Sequence, residues 1–303
     1  MKILLLGKNG QVGWELQRSL AVLGEVVAVD IDGAPPWRLD FLDADALRSL
    51  VRAAAPQLIV NAAAHTAVDK AESEPELVRA INATAVGVLA HEAAVRDAWL
   101  VHYSTDYVFD GSGTAPWTEQ STPAPLSVYG RTKAEGEELI RQSRCRHLIF
   151  RTSWVYAARG ENFAKTMLRL ARSRESLSVI DDQVGSPTGA DLLADITAHA
   201  ARTAMQRAEL SGTYHAVAAG ETSWHGYARH VISIARERGG SLKIAPEAIA
   251  AIPSSAYPQA APRPKNSRLD TTKLRDAFGL TLPDWRQGVE RMLSEILDRK
   301  DAA

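Results

Sequence analysis

The sequence predicts an α/β fold: a parallel sheet wound with helices on both faces, followed by a smaller α/β lobe. Three observations predict it. The chain opens with a short apolar run, Lys2-Ile3-Leu4-Leu5-Leu6, which passes through a glycine-rich turn into a stretch of helical apolar spacing from Trp14 to Leu20. Further apolar runs alternate with helical stretches through the first half, a pattern that implies right-handed crossovers between parallel strands. Lastly, Tyr129 and Lys133 stand four residues apart in a helical stretch and so share one face of it.

Met1 to Leu6 has the charge and apolarity of a short secretory leader, but the apolar stretch is too brief and a glycine loop follows, so it reads as the first strand. In Gly7-Lys8-Asn9-Gly10-Gln11-Val12-Gly13, Gly7 permits a sharp turn, Gly10 lets backbone N–H groups approach a pyrophosphate, and Gly13 lets the helix pack closely on the strand. The helix N-terminus then favours phosphate charge. Strand, glycine turn and helix in this order are what a Rossmann-type dinucleotide site requires, although the spacing is Gly-x-x-Gly-x-x-Gly and not the tighter Gly-x-Gly-x-x-Gly. A second strand, Val26 to Asp30, ends in an acid placed to bind an adenine ribose hydroxyl. Asp30 and Asp32 together disfavour a 2′-phosphate and lean toward NADH, unless Arg38 or Lys8 offsets them; both NADPH and NADH stay open, and both acids also suit a turn before Gly33.

Leu58 to Asn61 reads as a third strand, after which Ala62, Ala63 and Ala64 either let a cofactor ribose come close or pack a helix. An alanine-rich helix is expected near Glu76 to Arg96, and a strand over Leu100 to Ser104. Thr105 then emerges at the carboxyl edge of the sheet, where its hydroxyl can bond a substrate carbonyl or simply cap the next turn. The helix with Tyr129 and Lys133 follows, then a strand over His147 to Arg151. A lysine beside a phenol favours phenolate and makes the tyrosine usable as an acid or base near neutral pH. The plain alternative is an exposed helix with one aromatic docked on the core.

The chain has 303 residues and a net charge of −1 with both signs scattered, so no basic face invites nucleic acid or an anionic membrane. No run approaches a membrane span. Cys145 is the single cysteine, which excludes a disulfide within the chain and a cysteine cluster for zinc, and suits a reducing cytoplasm. Residues 1–160 read as the dinucleotide-binding domain, with later segments returning to it, and 161–303 mainly as a substrate-binding lobe. From about Phe163 the pattern is less regular, with turns marked by Gly185-Ser186-Pro187-Thr188, Gly212-Thr213-Tyr214-His215 and the proline-rich Ile252 to Pro264. Arg263, Lys265 and Arg268 are candidates to bind a diphosphate, or belong to a solvated basic loop that Asn266 and Ser267 hold in shape.

The glycine turn, the strand-end Thr105 and the Tyr129/Lys133 pair together identify the chain as a member of the short-chain dehydrogenase/reductase superfamily, in its extended, nucleotide-sugar-modifying branch. Six segments carry the likeness further: GKNGQVGW from Gly7, NAAAHTAV from Asn61, YSTDYVFDG from Tyr103, RTSWVY from Arg151, QVGSPT from Gln183 and RPKNSRLDTTKL from Arg263. They closely resemble the dTDP-4-dehydrorhamnose reductase family, over residues 1 to about 298. The resemblance implies reduction of the C4 ketone of dTDP-4-dehydro-L-rhamnose to dTDP-L-rhamnose by hydride from NADPH or NADH, the last step of dTDP-L-rhamnose biosynthesis. It makes Tyr129 the proton donor, Lys133 the holder of the nicotinamide ribose that also depresses the tyrosine pKa, and Thr105 the group that orients the carbonyl. By the same matching, Gly10, Gln11 and Val12 contact the pyrophosphate, Asp30 the adenosine ribose, Asp40 and Phe41 the adenine, Ala62, Ala63 and Ala64 the cofactor's inner half, and Asp106 and Trp154 the sugar nucleotide.

Some members of that family hold a magnesium ion between two subunits through acids of which one matches Glu15. The second position reads Asp191, shorter than the family's usual glutamate, and Glu15 is also a plain first-turn acid, so magnesium and homodimer are expected together or not at all. Rival readings within the resemblance are a dehydratase, which commonly shows Thr-Asp-Glu where this chain has Thr105-Asp106-Tyr107, and a 4-epimerase, which keeps its NAD through turnover. A non-catalytic one is the regulatory β subunit of methionine adenosyltransferase, which resembles the family and binds a dinucleotide.

Overall fold

The computed structural model describes residues 1–298. Six strands, β1 (Lys2–Leu6), β2 (Glu25–Val29), β3 (Leu58–Asn61), β4 (Trp99–Thr105), β5 (Arg146–Thr152) and β6 (Gly212–His215), form one sheet in the order β6-β5-β4-β3-β1-β2, parallel at every pairing. The longer helices are α1 (Gln11–Ala21), α2 (Ala44–Ala54), α3 (Ala85–Val95), α4 (Val128–Ser143), α5 (Phe163–Ser173), α6 (Ala190–Ala204), α7 (Trp224–Glu237), α8 (Thr272–Phe278) and α9 (Trp285–Asp298).

Strand side chains alternate between faces, and here both faces are apolar because both are covered. Ile3, Leu5, Leu58, Val60, Val101, Leu148 and Phe150 meet Leu16 and Leu20 of α1, Leu193 of α6 and Leu274 of α8. Their neighbours Leu4, Leu6, Ile59, Leu100 and Ile149 meet Leu47 and Leu50 of α2, Leu89 of α3 and Ile140 of α4. The doubly wound parallel sheet is therefore present as expected. Its chain reverses direction between β1 and β3, so the crevice at their carboxyl ends is the topological switch point where such sheets take ligands.

A second core lies outside the sheet. Met167 of α5, Val231 and Ile232 of α7, and Trp285, Val289 and Leu293 of α9 pack together with Leu177 and Ile249. The last two belong to a pair of short parallel strands, Leu177–Ile180 and Ile249–Ile252.

Local chemistry explains four of the helix starts. Asp43 caps α2 by accepting from the Asp45 and Ala46 N–H groups, Ser127 caps α4 through Gly130 N–H, Asn162 caps α5 through Lys165 N–H, and Ser223 caps α7 through Gly226 N–H. Two features depart from the sequence-based expectation. The helix expected near Glu76 to Arg96 begins as an α-turn over Pro75–Arg79, widens into a π-turn over Ala80–Thr84 and only then becomes α3. The widening seats Asn82, whose side chain accepts from His65 N–H (2.9 Å) and donates to His65 O (3.0 Å). The other departure is that the chain after Phe163 contains long helices where turns dominate the sequence pattern. In α6 the alanines 190, 194, 198, 200, 201 and 204 are all buried, so the apolar stripe that marks a surface helix is spread round its circumference. Among the described residues no helix is long and apolar enough to cross a membrane.

Candidate active site

A cleft of about 730 Å³ opens at the carboxyl edge of the sheet. Its walls come from the segments that leave five parallel strands: Gly7 to Val12 after β1, Asp30 after β2, Ala62 to Ala64 after β3, Tyr103 to Tyr107 at the end of β4, and Thr152 to Val155 at the end of β5. Tyr129 and Lys133 of α4 and Trp224 of α7 complete it.

The β1–α1 turn is built for close approach. Gly7 has φ +85°, and a Cβ there would stand 2.8 Å from Ala63 N; a Cβ on Gly13 would stand 1.9 Å from Gly7 O. Both glycines are thus required by the protein's own packing. Gly10 is different, since a Cβ there would meet nothing nearer than Gly7 O at 3.5 Å. It is the N-cap of α1, and no side chain caps that helix, so the free N–H groups face the cleft with room in front of them. Such a cradle fits a dinucleotide pyrophosphate. Asp30 ends the neighbouring strand, its carboxylate accepting from Asn9 N–H (2.9 Å) and Ile31 N–H (2.8 Å). Asp32 accepts from the Asn9 side chain (3.1 Å) and pairs with Lys8 at 3.4 Å, so the lysine does offset one of the two acids that bear on the NADH/NADPH choice. The Gln11 side chain is engaged by Asn162 (3.1 Å), and Arg159 stacks over Trp14 at 4.0 Å; both fasten the segment after β5 to the start of α1.

Thr105, Tyr129 and Lys133 converge on the same cleft. Ser127 caps the first turn of α4, which aims Tyr129 at the end of β4. Burial pushes the Tyr129 phenol up to about 12, opposed by a hydrogen bond with the Thr105 hydroxyl and reinforced by the charge of Asp106. The Tyr107 ring packs edge-on against Tyr129 at 5.5 Å. Lys133 is 2 % exposed, and burial brings its ammonium down to about 8, with Glu137 opposing. The expectation that this lysine depresses the tyrosine pKa does not hold in the chain alone. Lys133 Nζ spends its hydrogen bonds on Tyr103 O (2.5 Å) and His102 Nε2 (3.1 Å), and burial dominates the phenol.

Asp106 is buried, with one carboxylate oxygen accepting from Thr105 Oγ1 (3.1 Å); burial raises it to about 6, against hydrogen bonds from Ser267 and Thr105. Trp154 adopts φ +50°, a strained value for a bulky residue, and stacks on Trp224 with centroids 3.7 Å apart. Trp224 is absent from the sequence-based set; only its place just after a capping serine signals a fixed orientation. His102 is likewise absent, since a histidine inside an apolar strand carries no signal of what lies behind it. Asp40 and Phe41 are not among the residues that line the cleft: Asp40 accepts from Leu42 N–H (2.9 Å) in a local turn, and Phe41 packs against the core under β1.

The basic candidates are all paired. Arg263 forms two hydrogen bonds with Asp69 (2.6 and 3.0 Å), Lys265 meets Asp182 at 2.9 Å, and Arg268 meets Glu221 at 2.7 Å. Asn266 donates to Ser112 O and Ala115 O and accepts from Arg268 N–H, so its side chain shapes the loop. Arg263 also lines a second cavity, about 750 Å³, that shares Trp224 with the cleft and is walled by Phe163, Met167, Leu177, Ile252 and Tyr257.

Comparison with known proteins places this geometry in a family. The family model for the RmlD substrate binding domain matches residues 1–297. The chain belongs to that family. It is 54 % identical over 296 residues to the dTDP-4-dehydrorhamnose reductase of Escherichia coli K12, covering 98 % of each chain. Among solved structures it is similar to the dTDP-4-dehydrorhamnose reductase of Clostridium acetobutylicum (33 % identity, TM-score 0.88, 98 % of this chain and 99 % of that one). It is also similar to the dTDP-4-dehydrorhamnose reductase of Bacillus anthracis solved in complex with NADP (34 % identity, TM-score 0.86, 97 % of this chain and 100 % of that one).

As a member of the RmlD family the chain carries Glu15 and Asp191 at its candidate metal positions. Burial, together with the charge of Asp191, raises the Glu15 pKa, which puts the two carboxylates within electrostatic reach. Each already faces an arginine: Arg18 lies 3.8 Å from Glu15, and Arg291 3.4 Å from Asp191. Among the described residues no group of three or more acids, histidines or cysteines is placed to hold a metal ion. These donors do not make a closed hard-cation site on one chain.

Proposed function

We propose that the protein reduces the C4 ketone of dTDP-4-dehydro-L-rhamnose to dTDP-L-rhamnose, using NADPH or NADH, as the last step of dTDP-L-rhamnose synthesis. One observation carries the reading: Thr105, Tyr129 and Lys133 meet beside the bare N-terminus of α1, in a chain akin end to end to named reductases of this substrate. Bound in this cleft, NADPH or NADH would supply the hydride that the sugar C4 carbon takes up. Tyr129, held neutral by burial, gives its phenolic proton to the C4 oxygen as negative charge develops there, and the Thr105 hydroxyl donates to the same oxygen and orients it. Lys133 lines the same cleft and holds the nicotinamide ribose. Ala62 to Ala64 keep that wall low enough for a ribose, and the free N–H groups of α1 take the pyrophosphate.

The lobe built on the second core takes the nucleoside end of the substrate in the 750 Å³ cavity, with Trp224 shared by the two chambers and stacked on Trp154 of the first. Residues 1–160 with β6, α6 and α8 act as the dinucleotide domain, and most of the remainder as the substrate lobe. A lone, buried Cys145 agrees with work in the reducing cytoplasm. The test is direct: purified protein mixed with the 4-keto sugar nucleotide and NADPH or NADH consumes reduced nicotinamide in step with product. A protein that binds the dinucleotide yet leaves absorbance unchanged is a regulatory subunit, and the reading fails.

A further inference from the structure

Trp154 holds a backbone conformation that its side chain does not favour. Its φ of +50° lies in the left-handed region that bulky residues rarely enter, and such a residue persists only where its surroundings leave it no alternative. The backbone on either side of it is stitched down. Ser153 Oγ donates to Ser186 O (3.2 Å), Thr188 N–H donates to Trp154 O (3.2 Å), and Val155 and Tyr156 pair in parallel with Thr188 and Gly189. These partners belong to the QVGSPT segment from Gln183 or follow directly on it, a stretch that the reaction so far leaves unused.

The same segment also reaches the other way. Val184 and Gly185 pair antiparallel with Ser223 and Thr222, Ser186 Oγ donates to Gly220 O (2.5 Å), and Ala218 N–H donates to Thr188 Oγ1 (3.2 Å). Trp224 follows at once as the first residue of α7, whose opening turn Ser223 caps. One short stretch of chain thus sets both indoles, which meet with centroids 3.7 Å apart and planes 14° apart. Centroids that close mean near face-to-face overlap, which free aromatic rings avoid because their quadrupoles repel, so the frame imposes the contact. Phe163 backs Trp224 with its ring centroid at 4.6 Å, and all three rings pack against the second core. Gly185 lets the Trp154 ring in. A Cβ there would stand 3.0 Å from Trp154 Cε2 and 3.0 Å from Ser267 Cβ, closer than side chains accept without a shift.

We propose that Trp224 is a positioning residue of the reductase reaction: stacked on Trp154, it keeps that indole in its left-handed conformation as a wall of the sugar pocket, with Gly185 the position that admits the ring. The role rests on the function proposed above. Trp154 lines the cleft together with Thr105 and Tyr129, so a displaced indole changes where the C4 carbonyl lies relative to both donors. Loss of the stack therefore costs turnover of the sugar nucleotide and leaves the dinucleotide cradle at α1 intact.

Two indoles this close couple their electronic transitions and give paired circular dichroism bands of opposite sign in the far ultraviolet. Free wild-type protein is expected to show those bands, and Trp154→Phe and Trp224→Phe to lose them alike. Trp224→Leu is expected to lower kcat/KM for the sugar nucleotide on the order of 10- to 100-fold, while the Kd of the dinucleotide holds. A double-mutant cycle separates positioning from direct contact: with Trp154→Ala already present, Trp224→Leu costs little more. Thermal melts check folding, and Trp224→Met, which refills most of the space without a ring, takes the place of the leucine variant if that one does not fold. Absence of the paired bands in the wild type, an unchanged kcat/KM, or a loss just as large with Trp154 already removed overturns the proposal. So does a parallel loss of dinucleotide affinity, the mark of a merely structural role. Should the wild type fail to reduce the sugar nucleotide, the reductase reading falls and takes the positioning role with it; a wild type that reduces it beside unaffected variants defeats the positioning role alone.

Discussion

Tyr129 is a buried phenol whose pKa lies near 12, so it is protonated across the physiological range and suited to give a proton, not to take one. Tyr129→Phe keeps the ring and the edge-on contact with Tyr107 but has no proton to give. Turnover is expected to fall by roughly two to four orders of magnitude, with dinucleotide binding retained in a fluorescence titration; unchanged turnover removes the residue from the chemistry. Lys133 makes a second prediction through stability. Its folded value, about 8, lies below the ordinary 10.5, so between those limits the unfolded chain binds more protons and wild-type stability rises with pH. Lys133→Met has no such rise. Its stability relative to wild type, read from denaturant midpoints, is therefore highest below pH 8 and declines by up to ~3 kcal/mol by pH 10.5. A difference that is flat with pH would mean that burial does not penalise this charge. Residue types at fixed spacing made Tyr129, Lys133 and Thr105 legible in the sequence. Trp224 and His102 were not, because their partners are distant in the chain and nothing local marks them.

At the scale of elements, α4 carries Tyr129 and Lys133 and must be held in register with the sheet. Glu137, one turn beyond Lys133, meets Arg151 of β5 through two hydrogen bonds of 2.9 and 2.7 Å, both side chains being nearly inaccessible. Burial pushes the Glu137 carboxyl up, but the Arg151 hydrogen bonds and charge outweigh it, leaving the pKa below the usual carboxylate value. That sign means its contribution is complete above the unfolded carboxylate range and is lost as the pH drops through the depressed folded value. Glu137→Gln leaves Arg151 buried without its counter-charge, and urea unfolding at pH 7 is expected to show a loss of about 3–5 kcal/mol. A loss below about 1 kcal/mol would show that the pair is not what anchors α4. Apolar runs over β1, β3, β4 and β5 were readable because a strand covered on both faces has one composition throughout. The π-turn at Asn82 was not readable, because it answers to the backbone of His65 across a loop, and α6 was not because alanines bury evenly.

The whole molecule joins two apolar cores, one wrapped round the sheet and one built from α5, α7 and α9, with a chamber at the carboxyl edge and another against the second core. A ligand confined to the first chamber stabilises that side, and one that reaches the second engages both. Saturating NADPH or NADH is thus expected to raise the melting temperature, with a stabilisation of about 2.7 kcal/mol at a hundred times Kd, and dTDP added on top is expected to raise it further. If dTDP alone shifts the melt and the dinucleotides do not, the cradle at α1 has been misassigned. Comparing the two dinucleotides in the same melts reads out the preference that the Lys8–Asp32 pair leaves balanced.

By itself the sequence determined the kind of sheet, the glycine turn and the side chains proposed to react, because these follow from period, from steric necessity at Gly7 and Gly13, and from side-chain chemistry at fixed spacing. Tertiary structure alone decided which groups share a boundary with those side chains. It set Lys133 on His102 and Tyr103 O and left the Tyr129 phenol neutral, and it tied Arg263, Lys265 and Arg268 to acids far along the chain. The physical reason is that hydrogen-bond direction and desolvation depend on what surrounds a group in space, and local sequence does not carry that information.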